Sequence, residues 1–264
     1  MSSVSVVVAV RDEEALLPGC LRRLGFADEV IVVVDSRTTD ASPSLARDAG
    51  AKVLYHDFAG FAGLKNAGLD AVTSEWALVV DADERVGARL ATEITAALSK
   101  QCDAYRIPTM NYFYGHQMRW GGWNESHIRL LRTGSARYVG DLHEMFKFVD
   151  PGASIGTLSE PLHHFSHTSI LDNLRKTASY SDVEARAKAV AGAKPVTSAQ
   201  LYFIVLREIL RRLIVKQGWR DGVPGTIECL YQPLSLVAVR TRLWEIQQSP
   251  PIDELYDRLD QSIE

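Results

Sequence analysis

Residues 4–10 are valine except for Ser5 and Ala9. A run that is apolar at both alternating positions is the pattern of a strand covered on both faces. Leucines at 16, 17, 21 and 24 then mark a helical stripe over residues 15–24. Residues 29–34 read as a second buried strand that ends on Asp35. Ser42 is expected to cap a short helix, with Pro43 at its first position, where a missing N–H is harmless. A third strand is predicted over 51–55, a helix over 60–72, and a fourth buried strand over 76–80 that runs straight into Asp81. A helix over 88–99 and a strand over 104–107 follow. Strands separated by helical crossovers pair in parallel. The expected fold class is therefore α/β, a mostly parallel, Rossmann-like sheet flanked by helices.

After residue 108 the texture changes to short segments rich in aromatics and glycine, read as strands and loops laid over the strand ends. Helices are predicted over 169–191, 198–217 and 227–247, with Pro233 marking a kink or a new start in the last. The chain thus divides into 1–107, 108–168 and a helical extension, 169–264. Its 264 residues are 46% hydrophobic and 23% charged, which excludes wholesale disorder. The formal charge of −4 supplies no general attraction to nucleic acid. Three scattered cysteines argue against a disulfide framework or a structural zinc site. No run of residues approaches the length of a membrane span, and the first strand lacks the basic flank of a secretory signal.

In an open parallel sheet, ligands gather at the carboxyl ends of the strands, which gives the acids there their interest. Asp35 ends the second strand, and Asp81-Ala82-Asp83-Glu84 ends the fourth. Two carboxylates so close repel one another unless a cation lies between them, and hard oxygen ligands suit Mg²⁺ or Mn²⁺ bridging to phosphates. Acids favoured by a following helix N-terminus would account for Glu84 but not for Asp35.

Taken in order, the motifs resemble the family 2 glycosyltransferases of GT-A fold, closest to the branch that builds the bacterial lipopolysaccharide core. They are Arg11-Asp12-Glu13-Glu14, Val34-Asp35-Ser36-Arg37-Thr38-Thr39-Asp40, Gly60-Phe61 with Lys65-Asn66, and Asp81-Ala82-Asp83-Glu84-Arg85. Gly121-Gly122-Trp123, Arg129-Leu130-Leu131-Arg132, Leu142-His143-Glu144, His164-Phe165-Ser166 and Gly218-Trp219-Arg220-Asp221-Gly222 continue the series. Two departures stand out. Asp12 replaces an Asn, and Asn124-Glu125-Ser126 replaces a Tyr-Pro-Asp in a region expected to face the acceptor.

The resemblance implies a metal-dependent, inverting transfer of a hexose, expected to be glucose, from a UDP-linked donor to a saccharide or lipid-linked acceptor. It places Asp83, Asp81 and His164 at a Mn²⁺ or Mg²⁺ ion. Ala9, Val10, Arg11, Glu13, Asp35, Lys65, Asp81, Ala82, Trp123 and Arg129 are expected at the donor. For Lys65, a solvated helix lysine is the other reading. Glu144 is the expected base for the acceptor hydroxyl, with His143 as an alternative or as its orienting neighbour. His163, His164 and His167 read as one cluster.

Two rivals remain. A sugar nucleotidyltransferase would carry a glycine-rich phosphate loop where this chain has Arg11-Asp12-Glu13-Glu14. A noncatalytic scaffold would be expected to have lost some of Asp35, Asp81, Asp83 and Glu144. The apolar stripe of 201–214, with Arg207, Arg211, Arg212 and Lys216, fits a helix pressed on anionic lipid, or else one covering a sheet edge or a dimer interface. The expected location is cytoplasmic, with peripheral attachment at the inner face of the cytoplasmic membrane as the alternative.

Overall fold

The computed structural model describes residues 2–58, 60–140 and 145–263. Two compact units emerge, Met1–Tyr112 with Asn124–Ser166, and Phe113–Trp123 with His167–Glu264.

The first unit is the α/β part. Its strands are β1 (Val4–Val10), β2 (Glu29–Asp35), β3 (Lys52–His56), β4 (Trp76–Asp81), β5 (Glu84–Val86) and β6 (Ala104–Phe113, whose last residue falls in the second unit). The order β3-β2-β1-β4 is parallel throughout, as the crossover spacing requires. Its helices are α1 (Leu17–Leu21), α2 (Ser42–Asp48), α3 (Phe61–Asp70) and α4 (Ala88–Ala97). The strand-rich stretch beyond residue 108 supplies Ser126–Arg132, which inserts antiparallel between β4 and β6, and Leu162–His164, which pairs with β6 on one side and β5 on the other.

Alternation along the valine strands divides the core. Val6, Val8, Val32, Val34, Leu78 and Val80 face α1 and α4 through Leu17, Cys20, Leu90 and Ile94. Val7, Ile31, Val33, Ala77 and Val79 face α3 through Leu64. Packing on that second face is close enough to demand glycine at 68, because a Cβ there would lie 2.2 Å from Val7 Cγ1.

Three expectations change. The helix over 15–24 shrinks to α1. Ser42 is the first residue of α2 rather than its cap: Asp40 Oδ1 accepts its backbone N–H at 2.9 Å, and its hydroxyl accepts instead from Glu13 N–H at 2.9 Å. Glu84 opens a strand, not a helix, so no helix dipole explains it.

The second unit is helical, with α5 (Ile170–Val190), α6 (Ser198–Ile209), α7 (Gly222–Ile246) and α8 (Ile252–Ile263). A π-helical segment, Leu210–Val215, extends α6. Thr197 and Gln200 form a reciprocal capping box at the start of α6. Pro233 neither ends nor restarts α7, which runs through it. Sequence reasoning missed α8, an acidic helix with no buried residue. Residues 113–123 belong to this unit because its helices bind their backbone. Asp221 Oδ2 accepts from the N–H groups of Arg119 and Trp120, and Lys216 O accepts from Gly121 N–H.

Candidate active site

Parallel register sets the floor of the site, since Ala9 pairs with Asp81 and Val10 with Val34. The ends of β1, β2 and β4 therefore lie side by side, bringing Ala9, Val10, Arg11, Asp35 and Asp81 to one edge. The loops after β1 and β2 are laced together. Asp12, held at φ 53°, accepts from Thr39 N–H at 2.8 Å, Asp40 accepts from Glu14 N–H at 2.8 Å, and Glu14 accepts from Ala41 N–H at 3.0 Å. Glu13 joins the lacing through its backbone bond to Ser42.

Asp35 is fully buried, and Arg37 covers it. The guanidinium donates to both carboxylate oxygens, the closest contact being 2.6 Å, while Arg37 N–H donates to Oδ1 at 3.0 Å. These hydrogen bonds hold the carboxyl below the usual range. The same guanidinium stacks 4.1 Å from the centre of the Phe58 ring, and Arg11 lies 4.0 Å from Asp35. Sequence reasoning overlooked Arg37, although an arginine two residues beyond a strand-end acid was visible.

At β4, Asp81 and Glu84 share Arg129, which donates to Asp81 Oδ2 at 3.1 Å and to Glu84 Oε1 at 2.6 Å. Lys65 Nζ sits 3.3 Å from Asp81 Oδ1, so it is no solvated helix lysine. Burial works against ionising Asp81, but Arg129 and Lys65 outweigh it and hold that carboxyl well below its ordinary value. Burial wins at Glu84, whose carboxyl is pushed up to about 7 despite Arg129. Ala82 is buried between the two acids, and Arg85 staples the turn by donating to the carbonyls of Ala82, Glu84 and Leu16.

Strand pairing builds the other corner. His164 is the register partner of both Asn111 and Glu84. Its Nδ1 lies 2.7 Å from Asn111 Oδ1, and its Nε2 lies 3.1 Å from Asp83 Oδ2. Because the amide oxygen only accepts, Nδ1 carries a proton. Nε2 then faces a carboxylate and needs either a second proton or a cation between them. Burial is the largest single influence and disfavours the charged ring, yet the hydrogen bond to Asp83 and the charges of Asp83, Glu84 and Asp81 together outweigh it and raise the pKa. A carboxylate and an imidazole nitrogen aimed at one point, with the far nitrogen fixed by a neutral acceptor, fit a divalent ion completed by substrate phosphates and water. Among the described residues no group of three or more His, Cys, Asp or Glu is placed to hold a metal ion, so an ion here would rest on two protein ligands.

The three histidines part company. His163 Nδ1 lies 3.1 Å from the Tyr112 hydroxyl, while His167 lies in the second unit, 2.8 Å from the buried Glu228. Trp123 also belongs to the second unit, with Arg212 at 4.1 Å over its ring and Phe113 at its edge. His143 and Glu144 lie outside the described residues.

A strand-end site on a parallel sheet, joined to an antiparallel insertion, is the arrangement of the GT-A fold. The fold resembles that of the mannosyltransferase PcManGT from Pyrobaculum calidifontis, solved in complex with GDP-Man and Mn²⁺. That likeness has a TM-score of 0.54 at 14% identity, over 94% of this chain and 88% of that one. Residues 5–147 match the family model for glycosyl transferase family 2, and the chain belongs to that family. It is 27% identical to the lipopolysaccharide core biosynthesis glycosyltransferase LpsC of Rhizobium meliloti, over 95% of this chain and 96% of that one. It is 26% identical to the glycosyltransferase RT0209 of Rickettsia typhi, over 87% of this chain and 82% of that one. Among the described residues, no helix is long and apolar enough to cross a membrane.

Proposed function

We propose that the protein transfers a hexose, expected to be glucose, from a UDP-linked donor, with inversion, to a saccharide or lipid-linked acceptor of the cell envelope. The observation that carries this reading is the paired corner of Asp83 and His164 beside the Asp81–Lys65–Arg129 cluster, at the strand ends of a family 2 chain. Asp83 and His164 are the residues that would hold Mn²⁺ or Mg²⁺, with Asp81 nearby. The ion, when bound, supplies positive charge to a diphosphate leaving group.

The chain's own residues do the rest. Lys65 and Arg129 keep Asp81 ionised at the strand end and add to the positive field around the diphosphate. Ala9, Val10, Arg11 and Glu13 border the nucleotide. Asp35 reaches base or ribose only when Arg37 swings away; otherwise it acts through Arg37. In the transfer itself, the acceptor hydroxyl oxygen bonds to the anomeric carbon as the bond from that carbon to the diphosphate oxygen breaks. The bonding pair leaves with the diphosphate, and the hydroxyl proton passes to Glu144, with His143 beside it.

The test is the melting temperature with UDP or GDP, each with and without Mn²⁺, for the protein and for Asp83→Ala. A ligand at a hundredfold excess over Kd stabilises the folded state by about 2.7 kcal/mol. A Mn²⁺-dependent UDP shift that disappears in Asp83→Ala is expected. No shift with either nucleotide would overturn the reading.

A further inference from the structure

The second unit carries a surface that its own folding does not use. Along α6 and the π-helical segment, Phe203, Leu206, Leu210 and Ile214 recur at intervals of three and four residues, which places them on one flank. All are exposed, Phe203 by 62% and Ile214 by 60%, while the residues that α6 buries are Ile204 and Glu208. Tyr202, Val215 and Trp219 are exposed as well, by 77%, 70% and 57%. An apolar flank this open is foreign to a water-facing helix, so it calls for a partner.

Charge identifies the partner. Between residues 198 and 220 the basic side chains are Arg207, Arg211, Arg212, Lys216 and Arg220, and the one acid is Glu208. Glu208 is buried and bridged by Arg207, Arg211 and Arg212 at 3.0 to 3.3 Å, so it presents no negative charge outward. Apolar and aromatic side chains bordered by basic ones match the layered chemistry of an anionic bilayer, with acyl chains below and phosphates at the rim. A second copy seated isologously on this flank would set arginine against arginine.

We infer that α6 and its π-helical extension form a docking surface for an anionic lipid bilayer, lying in the headgroup layer with Phe203, Leu206, Leu210 and Ile214 inward and Arg207, Arg211, Lys216 and Arg220 at the phosphates. Binding is superficial, since no described helix can span. It must also weaken with salt, as screening reduces the basic contribution.

The experiment is co-sedimentation of the full chain with vesicles of phosphatidylcholine alone, or of phosphatidylcholine doped with phosphatidylglycerol, at low and high salt. Two variants accompany it, Leu206→Gln/Leu210→Gln/Ile214→Gln and Arg207→Gln/Lys216→Gln. Binding is expected on the anionic vesicles only. The charge variant should bind roughly fivefold more weakly for each basic residue removed, and the apolar variant more than about tenfold more weakly. The UDP-induced melting shift should be unchanged in both, showing that they fold; if the parent chain lacks that shift, the donor assignment fails while the vesicle result still stands. Equal binding to both vesicle types, no binding to either, or undiminished binding by the variants would overturn the proposal. So would light scattering that shows a dimer which the apolar variant dissolves, because a second copy would then own the flank.

Discussion

Replacing Arg129 by Met tests the electrostatic heart of the site. Arg129 is 13% exposed at its side chain and reaches two acids, of which Glu84 is essentially buried and Asp81 one-third exposed. Removing the cation leaves Asp81 partly compensated by Lys65 at 3.3 Å and by water. Glu84 keeps only the Asp81 N–H, at 2.8 Å. At about pH 8.5, where Glu84 is ionised beside Arg129, breaking the buried pair costs about 3–5 kcal/mol. For a chain of this size that corresponds to a fall in Tm of roughly 6–20 °C. The pH dependence has a definite sign. A carboxyl raised from 4.5 to about 7 on folding contributes stability that is complete below 4.5 and is lost as pH rises through 7. Without Arg129, burial and the Asp81 charge push Glu84 further up, so the deficit of the variant should widen between about pH 6 and about pH 8.5. Urea unfolding of both proteins at the two pH values reads it directly. Adding Glu84→Gln, which still accepts from Asp81 N–H, should recover part of the loss. A deficit below about 1 kcal/mol at about pH 8.5, the worth of an exposed pair, or one that ignores pH, would refute this account of the cluster.

Three further outcomes follow from local geometry. Gly68→Ala, whose Cβ would lie 2.2 Å from Val7 Cγ1 and 3.0 Å from Val33 Cγ2, should cost about 1–3 kcal/mol by overpacking; an unchanged urea midpoint would mean that α3 slides freely on the sheet. Burial pushes the Cys20 thiol up to about 12, so a thiol reagent at mildly alkaline pH should spare it in the folded protein and modify it in denaturant, as peptide mapping would show. Arg37→Ala uncovers Asp35. If Asp35 meets the nucleotide directly, the variant should bind UDP more tightly by calorimetry; weaker binding would make Arg37 itself the contact.

The valine runs of β1, β2 and β4 were legible as buried strands, because a strand covered on both faces needs no partner pattern to be recognised. The acids that end β2 and β4 pointed to a candidate ligand edge for a similarly local reason, as crossover spacing alone makes the sheet parallel. α1 was overdrawn because leucine spacing registers burial beyond the helix that shares it. The acidic α8 was legible too, since Ile252, Leu255, Tyr256, Leu259 and Ile263 recur at helical spacing, but the acidic composition of the segment masked that pattern. At Pro233 the alternative of a new start fails, because α7 runs through that residue.

Contacts between distant positions were beyond any reading of the chain. Lys65 against Asp81, Arg129 bridging Asp81 to Glu84, and Asn111 beside His164 each join residues far apart in sequence. The contacts of Arg129 and His164 exist because Ser126–Arg132 slots between β4 and β6, and Leu162–His164 between β5 and β6, in one particular register, whereas Lys65 arrives from α3 packed on the sheet. A shift by one residue would turn each side chain to the opposite face. Residue type and spacing therefore specified which strand ends hold the acids. The ionisation of Asp81 and Glu84 depends on burial and on cations delivered by α3 and by Ser126–Arg132, which only the folded sheet brings alongside.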